Sequence, residues 1–100
     1  MRYRDLGNTG LKVSESGMGC EGFSENDYAN TRAFSDAAEQ WCINYSDLYA
    51  SNPKMCTAVG NALKGRRDKF FIQAHICSIW KDGQYKRSRQ IGEVKAGFEE

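Results

Sequence analysis

The chain has 100 residues and carries 14 Lys and Arg against 13 Asp and Glu, a net charge of +1. That length makes one small domain or a piece of a larger one, and the balanced charge gives no polybasic surface for nucleic acid or an anionic membrane. No apolar run approaches the roughly 18 residues of a membrane-spanning helix. The opening Met1-Arg2-Tyr3-Arg4-Asp5 has no apolar signal core, so a cytoplasmic location is expected. Cys20, Cys42, Cys56 and Cys77 are widely spaced and form no Cys-x-x-Cys pair. Free thiols in a reducing compartment are the expected state, and His75 has no cysteine at a zinc-ligand spacing, so no metal is expected.

In chain order, residues 2–6 and 11–14 flank Gly7-Asn8-Thr9-Gly10, whose Asn and Gly supply the positive φ angles of a tight hairpin. A short strand is expected over 15–20, weakened by Ser16 and Gly17. A helix is expected over 27–41, with Asn26 as its cap and Phe34, Ala37, Ala38 and Trp41 on one apolar face. Residues 43–48 read as a second strand. Ser51-Asn52-Pro53 starts the next helix, because Pro at the first helical position loses no needed hydrogen bond. Met55, Val59, Ala62 and Leu63 then face one side, and Gly65 suits the left-handed position after the helix. Residues 69–76 form the third strand. Residues 79–89 read as a long polar loop with a turn at Lys81-Asp82-Gly83, and Ile91, Val94 and Phe98 open a third helix.

The order is a hairpin followed by about three strand–helix units. That alternation argues for an α/β fold with a parallel sheet and right-handed crossovers. Patterning alone leaves a barrel and an open doubly wound sheet both standing. In either, functional groups gather at the carboxyl ends of the strands. Gly19-Cys20-Glu21, Asp47-Leu48-Tyr49 and His75-Ile76-Cys77 fall there. Each residue also has a plain structural reading: Asp47 as a loop cap, Tyr49 as packing, His75 as a hydrogen-bonded core histidine, and Cys20 and Cys77 as small hydrophobes. Gly17-Met18-Gly19 has no third glycine opening a helix, so it is not a dinucleotide fingerprint. Arg66-Arg67 is a charged turn first and a phosphate site second.

Several stretches resemble the aldo-keto reductase family. Leu6-Gly7-Asn8-Thr9-Gly10-Leu11-Lys12-Val13-Ser14 is similar to its N-terminal hairpin. Gly17-Met18-Gly19-Cys20 resembles its first barrel strand, and Ile43-Asn44-Tyr45-Ser46-Asp47 resembles its second. Val59-Gly60-Asn61-Ala62-Leu63, then Gly65-Arg66-Arg67-Asp68, resembles its second helix and exit. The stretch 77–89 looks like a subgroup whose members often carry a C-terminal iron–sulfur segment. The resemblance covers nearly all of residues 1–100 as a single unit.

The resemblance implies the N-terminal portion of a (β/α)8 TIM barrel, a fold of roughly 250 residues when complete. It implies NADPH-dependent reduction of an aldehyde or ketone, with a small-molecule carbonyl as substrate. In that family an Asp, Tyr, Lys and His surround the carbonyl oxygen. Asp47 matches the Asp. Asn52 stands at the Tyr position, with Tyr49 the nearby substitute, and His75 stands at the Lys position. Gly19 and Cys20 are the cofactor-side positions of the first strand. The chain alone is expected to be catalytically incomplete and to hold no cofactor by itself. Its alternative is a non-enzymatic partial barrel that self-associates into a homo-oligomer through its unpaired edges. Asp47 and His75, ending adjacent strands, are expected to meet across the rim. Ser16 and Ser46 stand where the family places apolar side chains, and Cys42 replaces a glycine suited to a left-handed backbone. A buried hydroxyl there needs a partner or costs about 1–3 kcal/mol.

Overall fold

A computed structural model describes residues 1–24, 28–49 and 52–99. The hairpin forms as expected: β1 (Tyr3–Asp5) pairs antiparallel with β2 (Lys12–Ser14), Tyr3 opposite Ser14. Gly7 and Gly10 take φ of +55° and +76°, where a Cβ would be strained. Asn44 staples this hairpin to the rest of the chain. Its Oδ1 accepts from the Ser14 N–H at 2.7 Å, and its Nδ2 donates to the Lys12 carbonyl at 3.0 Å.

β3 (Met18–Gly19), β4 (Tyr45–Leu48) and β5 (Phe71–Ala74) form a parallel sheet in the order β3-β4-β5, with Met18 level with Ser46 and Ser46 level with Ile72. Among the described residues both outer strands pair on one side only. Helices α1 (Tyr28–Gln40) and α2 (Pro53–Ala62) connect the strands, so the chain is a mixed α/β structure with a parallel sheet. The core gathers Cys20, Phe23, Ala38, Met55, Val59, Leu63 and Phe70, with Met18, Ile43, Leu48 and Ile72 packed against it. Strand alternation turns Ser46 and Leu48 toward this core. Tyr45 and Asp47 therefore project from the other face, where the Tyr45 hydroxyl bonds Gln73 Oε1.

α2 follows its sequence signals. Asn52 caps it by accepting from the Lys54 N–H at 3.0 Å, and Pro53 occupies the first turn. Met55, Val59, Ala62 and Leu63 are all buried. Gly65 leaves at φ +81°. α1 departs from expectation. Phe34 and Trp41 are 55% and 71% exposed, and the buried residues of the helix are Thr31, Ser35 and Ala38. These small side chains let α1 lie against α2, and Ser35 satisfies its hydroxyl by donating to the Thr31 carbonyl at 2.9 Å. Arg32 ties the pair with a 3.0 Å bond to the Ala62 carbonyl. The Asn26 cap and the Asp27 start of α1 lie outside the described residues.

Ser46 is wholly buried and its hydroxyl has no partner among the described residues, whereas Ser16 is exposed and carries no such cost. Cys42 does adopt the left-handed conformation, φ +58°. All four cysteines are free thiols.

The stretch expected to be a polar loop is instead a second hairpin. β6 (Ser78–Lys81) pairs antiparallel with β7 (Gln84–Arg87) around Asp82 and Gly83, both at positive φ (+56° and +74°). Positive φ at both central residues is what a two-residue type I′ turn requires. Ile79 is buried beneath α3 (Ile91–Glu99), where a Cβ added at Gly97 would sit 3.5 Å from its Cγ2. Lys81 pairs with Glu93 at 2.8 Å across the same contact. The third β/α unit thus carries an extra ribbon between its strand and its helix.

Candidate functional site

The carboxyl ends of β4 and β5 bring the expected residues together. Asp47 stands on the face of β4 away from the core, and His75 directly follows β5. His75 Nε2 and Asp47 Oδ1 are 2.8 Å apart, with the two side chains 33% and 41% exposed. An ionised carboxylate accepts only, so this contact fixes the imidazole with its proton on Nε2 when neutral. Gln73 Nε2 stands 3.4 Å from the same ring nitrogen. Tyr49, at the end of β4, meets His75 edge-on with ring centroids 5.4 Å apart.

Gly19 lies level with Asp47 in the sheet and is exposed, and a Cβ added to it would meet nothing within 4 Å. Cys20 lies otherwise. Its thiol is fully buried in the core, and its backbone N–H donates to the Asp47 carbonyl at 3.0 Å. Burial, and then the charge of Asp47, push the Cys20 thiol up to about 11. It is therefore a neutral packing group with no surface turned toward the rim.

Two residues that sequence reading missed complete the rim. Tyr85 on β7 stacks on Tyr49 with centroids 5.7 Å apart and planes at 27°. Arg87, two residues on and so on the same face of β7, donates from Nε toward the Tyr85 hydroxyl at 3.4 Å. The two phenols are driven apart. The hydrogen bond to Tyr85 raises Tyr49 above the usual phenol range, while hydrogen bonds from Arg87 and Ser78 lower Tyr85 below it. Reading residues 79–89 as loop hid these groups. The available signal was Asp82-Gly83 between two short runs, a hairpin turn pair.

Two small cavities open on this rim. One, of about 120 Å³, lies among Leu48, Tyr49, Cys56, His75 and Val94. The other, of about 200 Å³, lies among Tyr49, His75, Cys77, Ser78, Tyr85 and Arg87. At the opposite end of the molecule the Arg66-Arg67 turn is spent internally. Arg66 is buried, pairs with Glu39 at 2.8 Å and donates to the Ala62 carbonyl, while Arg67 donates to the Phe70 carbonyl at 2.6 Å. Among the described residues no helix is long and apolar enough to cross a membrane, and no group of three or more His, Cys, Asp or Glu side chains is arranged to hold a metal.

No family profile and no curated protein matches the sequence. Solved structures do. Two structures from Pseudomonas aeruginosa, each described as a "putative aldo-keto reductase", superpose with a TM-score of 0.81 at 24% identity. The match covers 97% of this chain and 39% of the other, so this chain spans well under half of that protein's length. The likeness establishes the fold: these residues adopt the α/β arrangement found in part of an aldo-keto reductase-like structure.

Proposed function

We propose that the chain is the N-terminal portion of a (β/α)8 barrel of aldo-keto reductase type, contributing its second- and third-strand rim to the reduction of an aldehyde or ketone. The observation that carries this reading is the 2.8 Å Asp47–His75 contact, at the carboxyl edge of a parallel sheet, beside Tyr49. The hairpin similarity, the strand order and the fold likeness support it.

In this reading the carbonyl sits against the open ends of β4 and β5. Its oxygen accepts hydrogen bonds from the rim, where Asp47 orients His75 through Nε2 and Tyr49 holds a phenol proton. Tyr85, held more acidic by Arg87 and Ser78, is the stronger proton donor of the two phenols and stacks directly on Tyr49. NADPH, when bound, supplies the hydride. Open Gly19 leaves room for a planar ring beside Asp47, and Cys20, being buried, has no part in holding it. Taken by itself, the 100-residue chain is proposed to be inactive, because a rim of two strand ends surrounds only part of a carbonyl and its cofactor.

The test is the coding sequence beyond Glu100. A fourth strand bearing a His and later phosphate-binding loops are expected, and the extended protein should oxidise NADPH with aldehydes or ketones. Asp47→Asn in that protein should lower kcat by about 100-fold with little change in KM. An extended protein that folds but turns over no carbonyl overturns the reading.

A second reading rests on the edges of β3 and β5 that are unpaired among the described residues and on Trp41, Ile76 and Ile91, each more than 70% exposed. There the chain is a non-catalytic partial barrel that covers these surfaces with a second copy. Sedimentation velocity at micromolar concentration separates the two, since an ideal monomer across that range removes the second reading.

A further inference from the structure

We propose that the cavity between the β4–β5 rim and the β6–β7 hairpin binds a small planar monocarboxylate, with Arg87 as its cationic partner. The inference goes beyond the carbonyl reading and needs neither a cofactor nor turnover.

The cavity has room for such a molecule, at about 200 Å³. Arg87 lies on its wall and has no carboxylate partner among the described residues, its one side-chain bond being the long 3.4 Å contact to Tyr85. The other basic side chains of the two strands alternate to the opposite face of the hairpin, where Lys81 pairs with Glu93 and Lys86 with Asp82, both at 2.8 Å. A guanidinium on a cavity wall with its terminal nitrogens unspent is suited to a carboxylate, which it meets with two parallel N–H···O bonds. The flat part of the ligand meets aromatic surface, because the stacked rings of Tyr49 and Tyr85 line the same cavity as the guanidinium. Ser78, paired with Arg87 across the hairpin, adds a hydroxyl at the same wall. Asp47 spends Oδ1 on His75 at 2.8 Å but keeps its charge, and Glu21 acts on Tyr49 from nearby, so Arg87 is the group that must offset the anion. Cation, aromatic faces and hydroxyls on one small wall select a planar molecule with one negative end, and disfavour a dianion that a single guanidinium leaves half unpaired.

Titration of the 15N-labelled chain with sodium benzoate and, separately, with neutral benzamide at fixed ionic strength tests this. Benzoate should shift the backbone amides of Ser78, Tyr85 and Arg87 saturably and bind roughly fivefold to tenfold more tightly than benzamide. Arg87→Gln should bring benzoate down to the benzamide level while leaving the core amides unmoved. Tyr85→Phe, which keeps the stacked ring, should lose less than Arg87→Gln. Equal affinity for benzoate and benzamide in the unaltered chain overturns the proposal, as does the absence of saturable shifts at those amides or an Arg87→Gln chain that binds benzoate undiminished. The first two results need no variant to fold, and none of them depends on the carbonyl chemistry.

Discussion

α1 and α2 pack side by side, yet they are built on opposite principles. α2 buries the apolar residues its spacing displays, Met55, Val59 and Ala62. α1 buries Thr31, Ser35 and Ala38, leaves Trp41 in solvent, and keeps Phe34 at the margin, half-exposed and stacked on Phe23. A helix that brings bulk to a sheet keeps its distance; one that brings small residues lies close. α1 thereby trades buried apolar area for proximity to α2, and Arg32 and the buried Arg66 secure it through bonds to the Ala62 carbonyl and to acids on α1. The stability of the molecule is accordingly concentrated beneath α2.

The comparison is most sharply broken at Met55, which is fully buried. Met55→Ala should cost about 2–5 kcal/mol in urea unfolding, a large share of a small domain's stability. A cost below about 1 kcal/mol would mean that the α2 core carries much less than this account assigns.

Cys20 reports on the same core through pH. Its thiol titrates near 9 when unfolded and is pushed up to about 11 when folded. Its contribution is therefore complete below pH 9 and is lost as pH rises toward 11, a loss of about 2–3 kcal/mol from burial and the Asp47 charge together. Unfolding measured against pH for the unaltered chain and for Cys20→Ala isolates this part, and parallel curves between pH 9 and 11 would count against it. In the folded chain, a thiol reagent should modify exposed Cys42 and reach Cys20 only on unfolding.

Ser46→Ala should move stability the other way. The hydroxyl is buried without a partner among the described residues, so its removal should stabilise by about 1 kcal/mol. A destabilised Ser46→Ala would show that the hydroxyl is bonded in solution. The smallest effect is expected at Trp41, where Trp41→Gln should change unfolding free energy by less than about 0.5 kcal/mol despite removing the largest side chain near α1.

The contrast also explains what was readable beforehand. Asn52-Pro53, the apolar spacing of α2 and Gly65 each have a local physical cause, and all three appear in place. So do the first hairpin, the parallel order of the strands, the left-handed Cys42 and the burial of Ser46, whereas Ser16, expected to be buried as well, is exposed. The inward face of α1 was not legible, because counting apolar side chains locates bulk and not proximity. The second hairpin was hidden for a related reason: a two-stranded ribbon in solvent needs no apolar run, and Gln84, Lys86 and Arg87 read as loop. With it went Tyr85 and Arg87. Asp47, Tyr49 and His75 were legible from strand ends alone, since a parallel sheet places them on one rim whatever follows. Cys20, by the same rule, was assigned to the rim, but the alternation of the strand continues one residue further and turns its thiol into the core.

The central claim is that Asp47 and His75 meet at that rim as an oriented pair. Long-range 1H–15N correlation of the neutral His75 ring tests it most directly. The account predicts a proton held on Nε2, facing the Asp47 carboxylate at 2.8 Å, and a marked change in both ring nitrogen shifts in Asp47→Ala. A proton resident on Nδ1, or ring shifts unchanged in Asp47→Ala, would contradict it.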